Sequence, residues 1–311
     1  MAITIMGQLL QAIKHNRKIQ LLIYIILGIF IVVGVILFWY FQTNPVLPQL
    51  AIHFLSDVEL PEEGQTVLVF SPHPDDETIA CGGYIIESMN RGARVIIILV
   101  TDGNRRNLSN LRYVEFENAT SILGVPRENL IYLGYPDSRL AQQNQQELQE
   151  VLAKKIEEYS PDILFYPHPA DNHKDHSATG IIVEKIMEEM QKKIEDMEQL
   201  EGLEELIKEE VLEEMVRAEK LSKKITVYKY LVHHKDYPHP KKYVPNLFML
   251  PPLDLITIDG GWERFMLSGE TKQLKERALR TYVSQLRNPL LKNLLESSIR
   301  ENEIFAVEPI L

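Results

Sequence analysis

Two short stretches of this chain carry side chains that can do chemistry together. The first is Ser71-Pro72-His73-Pro74-Asp75-Asp76-Glu77, with one imidazole and three consecutive acids. His73 and Asp76 are three residues apart across a tight turn, so both can face one point. Asp75, between them, points elsewhere yet stays close. That spacing suits two ligands on a metal ion and a neighbouring carboxylate that handles the water the ion activates. A helix N-terminus also favours acidic residues, but capping does not explain a histidine set between two prolines. The second stretch is Pro167-His168-Pro169-Ala170-Asp171-Asn172-His173-Lys174-Asp175-His176, three histidines and two aspartates in ten residues.

Both stretches follow apolar runs that read as buried strands. Val67 to Phe70 precedes the first and Asp162 to Tyr166 the second. Ala93 to Val100 is another strand, ending in Thr101-Asp102-Gly103, and Asn129 to Leu133 a shorter one, ending in Gly134-Tyr135-Pro136-Asp137. Helical spacing over Leu111 to Leu123 stops at Gly124 and Pro126. Gln145 to Tyr159 and Lys272 to Leu286 read as amphipathic helices. Strands alternating with helices predict an α/β fold with a Rossmann-like, mostly parallel sheet and flanking helices. In such folds ligands bind at the carboxyl ends of strands. Ile225 to Val232 is one more strand, ending in His233-His234; one or both line the site, and His234 is the candidate substrate contact.

The N-terminal stretch is of another kind. Leu21 to Phe41 is 21 residues without a charge, long enough to cross a bilayer as a helix. Lys14, Arg17 and Lys18 precede it, and no Lys or Arg follows until Arg91. The positive-inside rule then predicts a cytoplasmic tail over 1–18, an anchor over 19–41 and everything after it outside. A cleaved signal peptide is the competing reading; the run is long for one, and no Ala-x-Ala-like site follows. Pro45, Pro48 and Pro61 mark 42–63 as a linker, although Ala51 to Leu55 could pack on the domain expected over 64–311. Residues 187–224 hold 13 acidic and 7 basic side chains. They read as a solvated helical insertion, with an oligomer or partner contact as the sharper alternative.

Net charge is −11, which argues against a nucleic-acid partner, since phosphate binding needs a basic face. Cys81 is the only cysteine, so no internal disulfide forms, and no histidine has local spacing to activate it. A serine hydrolase of the Gly-x-Ser-x-Gly type lacks its motif here. His73, Asp76 and one histidine of the second stretch make a three-ligand site with an open position. Two histidines and a carboxylate also describe a non-haem iron triad, but the α/β pattern favours zinc.

The two stretches resemble the PIG-L/LmbE-like family of zinc-dependent N-acetylglucosaminyl deacetylases. Pro72 to Glu77 matches its Ala/Ser-His-Pro-Asp-Asp-Glu, and Asp171 to His176 its Asp-x-His-x-Asp-His. Thr101-Asp102-Gly103, Arg112 with Glu115, Leu133 to Asp137 and Tyr282 to Gln285 also look like family positions, so the resemblance spans roughly 64–311 apart from the charged insertion. It implies Zn2+ held by His73, Asp76 and His176, with Asp75 as general base. It also implies His173 as oxyanion stabiliser or leaving-group acid, acting as an imidazolium near neutral pH, and Asp175 as the group that orients a histidine. Arg112 and Asp137 join His234 as candidate substrate contacts. The implied reaction is removal of N-acetyl groups from N-acetylglucosamine-type sugars in glycans, glycolipids or conjugates. An idle membrane-tethered sugar-binding module and a zinc amidase for a non-sugar amide are the alternatives; the intact Asp75 argues against the first, because a binding site needs no base.

Overall fold

The computed structural model describes residues 16–43, 47–104, 107–201 and 225–307. It divides into two units, 1–46 and 47–311. In the first, helix α1 (Arg17–Thr43) contains a 23-residue stretch long and apolar enough to cross a membrane. Most of the expected tail, 1–15, lies outside the described residues.

The second unit is an eight-stranded sheet in the order β1-β7-β8-β6-β5-β2-β3-β4. The strands are β1 (Ser56–Asp57), β2 (Thr66–Ser71), β3 (Arg94–Thr101), β4 (Leu130–Tyr135), β5 (Ile163–Pro167), β6 (Thr226–Tyr230), β7 (Gly261–Met266) and β8 (Asn302–Val307). Every pairing is parallel except the two made by β8. The helices are α2 (Asp76–Asn90), α3 (Ser109–Ile122), α4 (Gln145–Tyr159), α5 (Lys174–Glu201), α6 (Gly269–Leu279), α7 (Val283–Leu286) and α8 (Pro289–Ser297).

Strands covered on both faces read as unbroken apolar runs rather than alternating ones, and the side chains show why. In β2, Val67 and Val69 join one core with α2 and α3, and Leu68 and Phe70 join another with α4 and α5. β3 and β5 divide the same way, Ile97 and Phe165 to one side, Ile98 and Tyr166 to the other. A third cluster around Leu231, Tyr237, Met249, Leu255 and Trp262 lies where β7 and β8 complete the sheet.

Three expectations change. The stretch expected as a linker joins the domain from Gln49 onward. A 3-10 turn (Gln49–Phe54) places Leu55 against the third cluster, and β1 pairs with β7. The helix expected over 272–286 is two, because the chain turns at Tyr282 to bury its ring and bond Glu77. The charged segment continues α5 as one helix as far as Glu201; residues 202–224 lie outside the described ones.

Candidate metal centre

The chain order reverses at β2. Its successors β3 and β4 lie on one side, β5 and β6 on the other. A crevice at the carboxyl ends of strands opens at such a switch point. The turn after β2 carries His73 to Asp75 into the first turn of α2, with Asp76 and Glu77, and the loop after β5 carries Asp171 to His173 into the first turn of α5, with Asp175 and His176. Gly180 lets α5 close down on that second loop, since a Cβ there would stand 2.3 Å from the Pro167 carbonyl oxygen.

Three donor atoms meet in the crevice. His73 Nδ1 is 3.2 Å from His176 Nε2 and 3.2 Å from Asp76 Oδ2, and His176 Nε2 is 3.0 Å from Asp76 Oδ2. In a tetrahedral zinc site with ligands at about 2.0–2.2 Å, the donor–donor edges are about 3.3–3.6 Å. Each imidazole turns its other nitrogen to a carboxylate. His73 Nε2 is 3.1 Å from Asp175 Oδ2, and His176 Nδ1 is 3.4 Å from Asp171 Oδ2. The hydrogen bond to Asp175 fixes the His73 tautomer that leaves its inward nitrogen free as a ligand, while Asp171 faces His176 Nδ1 at longer range. Two facing acceptor nitrogens beside a carboxylate oxygen fit a cation between them. The residues expected as ligands are thus brought together.

The field agrees. Burial alone would lower the His73 pKa, but hydrogen bonds to Asp175 and Asp76 raise it to about 9. Burial opposes the charge on His176 too, and Asp76 and Asp171 overcome it. Asp76 is held well below the usual carboxylate range against its own burial, chiefly by His176. The crevice is built to stabilise positive charge.

Asp75 sits beside these ligands with φ +128°, a backbone conformation a non-glycine residue rarely adopts. Strain of this kind is held only where the surroundings fix it. The Asp75 amide donates to Glu77 Oε2 (3.2 Å), and Glu77 is itself gripped by Ser71, Thr78 and Tyr282. Burial pushes the Asp75 carboxyl up to about 8, against the pull of Arg112, whose Nη2 lies 3.5 Å from Oδ1. Arg112 also donates to the Pro74 and Gly103 carbonyls and, at 3.2 Å, to Asp137. Glu115, one turn along α3, accepts from the Ser284 amide and hydroxyl.

His173 differs from its expected state. Burial, and the nearby His73 and His176, lower its pKa to about 4, so it is neutral near pH 7. Its Nδ1 accepts the Asp175 amide at 3.3 Å, which leaves the proton on Nε2 as a donor. His234 is also placed differently. Its nitrogens bond the Ala170 carbonyl and Asp254, away from the crevice. Its neighbour His233 is the one whose ring stands 5.0 Å from His176 and 5.3 Å from His173. The strand has ended at Tyr230 and the chain bends through 232–234, so the sequence does not say which of the two points in. Asp171, given no role by spacing alone, accepts the amides of Val232, His233 and His173 and so ties the loop after β6 to the ligand loop. His168 belongs to a separate network with Asp259 and Lys229.

A protein-family profile described as "PIG-L: GlcNAc-PI de-N-acetylase" matches residues 68–187. A probable N-acetyl-alpha-D-glucosaminyl L-malate deacetylase 2 of Bacillus anthracis is 34% identical over 128 residues, 37% of this chain and 55% of that protein. A diacetylchitobiose deacetylase of Thermococcus kodakarensis is 28% identical over 128 residues, 37% of this chain and 46% of that protein. The chain thus spans about half the length of these relatives. The solved N,N'-diacetylchitobiose deacetylase of Pyrococcus horikoshii superposes with a TM-score of 0.52 at 22% identity, over 79% of this chain and 84% of that one, a likeness of fold.

Proposed function

We propose that this chain is a membrane-anchored zinc hydrolase of the PIG-L/LmbE-like deacetylase type, a reading its similarities support. Its reaction is removal of N-acetyl groups from N-acetylglucosamine-type sugars. The observation that carries this reading is the convergence of His73 Nδ1, Asp76 Oδ2 and His176 Nε2 within 3.2 Å of one another, with Asp75 alongside. The related proteins in Bacillus anthracis and Thermococcus kodakarensis are both named for deacetylation of N-acetylated sugars.

Zn2+ held by those three residues would polarise an amide carbonyl and acidify a water at the open position. Asp75 takes the proton from the attacking water and returns it to the departing amine nitrogen as the C–N bond breaks. A base with a pKa near the working pH is well matched to that task. Arg112 and the strained backbone at residue 75 hold its carboxylate in place. His173, neutral, donates from Nε2 to the oxygen on which charge develops. Asp175 keeps His73 in the ligand tautomer. Arg112 and Asp137, joined by their 3.2 Å contact, form one wall for sugar hydroxyls. The test is acetate release from a panel of N-acetylated sugars by the full chain. Release that is lost with a chelator and restored by zinc supports the reading; no release from any sugar by zinc-loaded protein overturns it.

On this reading the domain lies outside the cell, where it meets envelope or exopolysaccharide glycans. Lys14, Arg17 and Lys18, ahead of the uncharged run from Leu21 to Phe41, support that orientation. Protease added to intact cells should degrade the domain; protection until lysis would reverse the topology.

A further inference from the structure

The 3-10 turn that opens the second unit has two faces. Ile52 is fully buried, and Leu55 packs against the third cluster. On the other side Leu50 is 72% and Phe54 88% exposed, each surrendering most of its apolar area to water. The loop that carries Leu255 into the same cluster also exposes Leu253 and Ile258. The turn is held firmly to the domain. Gln49 exchanges hydrogen bonds with the Phe248 amide (2.6 Å) and carbonyl (3.2 Å), and Arg264 donates to the Ile52 carbonyl. An ion pair, Arg264 with Asp57 at 2.8 Å, lies at its border. Exposed leucine and phenylalanine on a rigid scaffold with a polar border are the features of a surface that meets another phase.

What that phase is follows from chain length. Only residues 44–48 separate the last residue of α1, Thr43, from the first of the turn, Gln49. Fully extended, five residues reach no more than about 20 Å. If α1 spans a bilayer, Leu50 and Phe54 are held within the reach of the lipid headgroups at every moment. A tether this short makes the local lipid concentration very high, so even a weak apolar contact is occupied.

We propose that Leu50 and Phe54 are a lipid-contacting surface that seats the domain on the bilayer. This rests on the anchoring proposed above.

The test uses the full chain in nanodiscs of phosphatidylethanolamine and phosphatidylglycerol. An environment-sensitive fluorophore is placed on Leu50→Cys, Phe54→Cys, Ile31→Cys or Leu290→Cys; the native Cys81 is fully buried. Lipids carrying a nitroxide high on the acyl chain are the quencher, because interfacial apolar groups sit roughly 5–10 Å into the headgroup boundary. Labels at 50 and 54 are expected to be quenched about twofold or more beyond the label at Leu290, which is 79% exposed. Quenching at 54 no greater than at 290, or shielding of 54 that appears only when two chains share a disc, overturns the proposal. Ile31, within α1, separates the two readings. A label there quenched by a mid-chain nitroxide shows the anchor whatever happens at 54. An unquenched one overturns anchor and seat together.

Discussion

Asp75→Asn is expected to give a folded, zinc-replete protein whose turnover falls about 10²–10⁴-fold, roughly 3–5 kcal/mol of barrier. The substitution is chosen for the backbone as well as the chemistry. Residue 75 holds φ +128°, and asparagine, the isostere of aspartate, is among the non-glycine residues that most readily adopt positive φ, so the loss reads out the missing proton acceptor rather than a rearranged turn. Asp76→Asn is the companion. Its Oδ2 is one of the three converging donors, and a neutral amide is a poor ligand, so that variant is expected to lose metal. Zinc content and turnover, measured side by side, decide the assignment. If Asp75→Asn loses zinc while Asp76→Asn keeps it, the two roles are exchanged. Near-normal turnover in Asp75→Asn would remove the proposed base altogether.

The second large effect lies under helix α2. Lys275 and Glu303 form a fully buried ion pair of 2.7 Å. Glu303 also accepts the amides of Gly83 and Tyr84, and Lys275 donates to the Ile79 carbonyl, so the pair grips the middle of the helix that begins at Asp76. Removing one partner of a buried pair leaves an uncompensated charge and costs about 3–5 kcal/mol. Lys275→Met is expected to lose that much stability, a large share of the roughly 5–15 kcal/mol a domain possesses. Lys275→Met with Glu303→Gln is expected to recover part of it. Urea unfolding of the two variants checks this; equal stability of Lys275→Met and the parent protein would show that the pair carries no net weight.

The sequence makes some of this plain and hides the rest for identifiable reasons. β2, β3 and β5 are legible because both of their faces are buried, which forces uninterrupted apolar runs. Their ends are legible because imidazoles and carboxylates crowd there. β8 is not, because two of its buried positions are polar. Asn302 bonds the Met249 backbone and Glu303 the middle of α2, so Asn302-Glu303 reads as surface until those partners are known. Tyr282 looks like one more apolar position on a helix, and only the fold shows it leaving that helix to reach Glu77. Asp171 is visible in the motif, but its function is to join two loops 61 residues apart, a relation that spacing does not express. The choice between His233 and His234 turns on how the chain bends after β6 ends at Tyr230, which residue spacing does not express.

The ligand atoms of His73 and His176 come from positions 103 residues apart, on the strand ends either side of the chain reversal. An ion held between them, as proposed above, would be a cross-link as well as a reagent. Binding the folded chain in preference to the unfolded one, it would stabilise the fold by mass action, about 2.7 kcal/mol when free metal is a hundredfold above its dissociation constant. A chelator then acts on two equilibria at once, withdrawing the reagent and loosening the join between the two halves of the sheet. Activity lost on chelation is a statement about chemistry only at temperatures where the metal-free chain still shows its folded circular dichroism, and that window is narrower than the one the metal-bound protein enjoys.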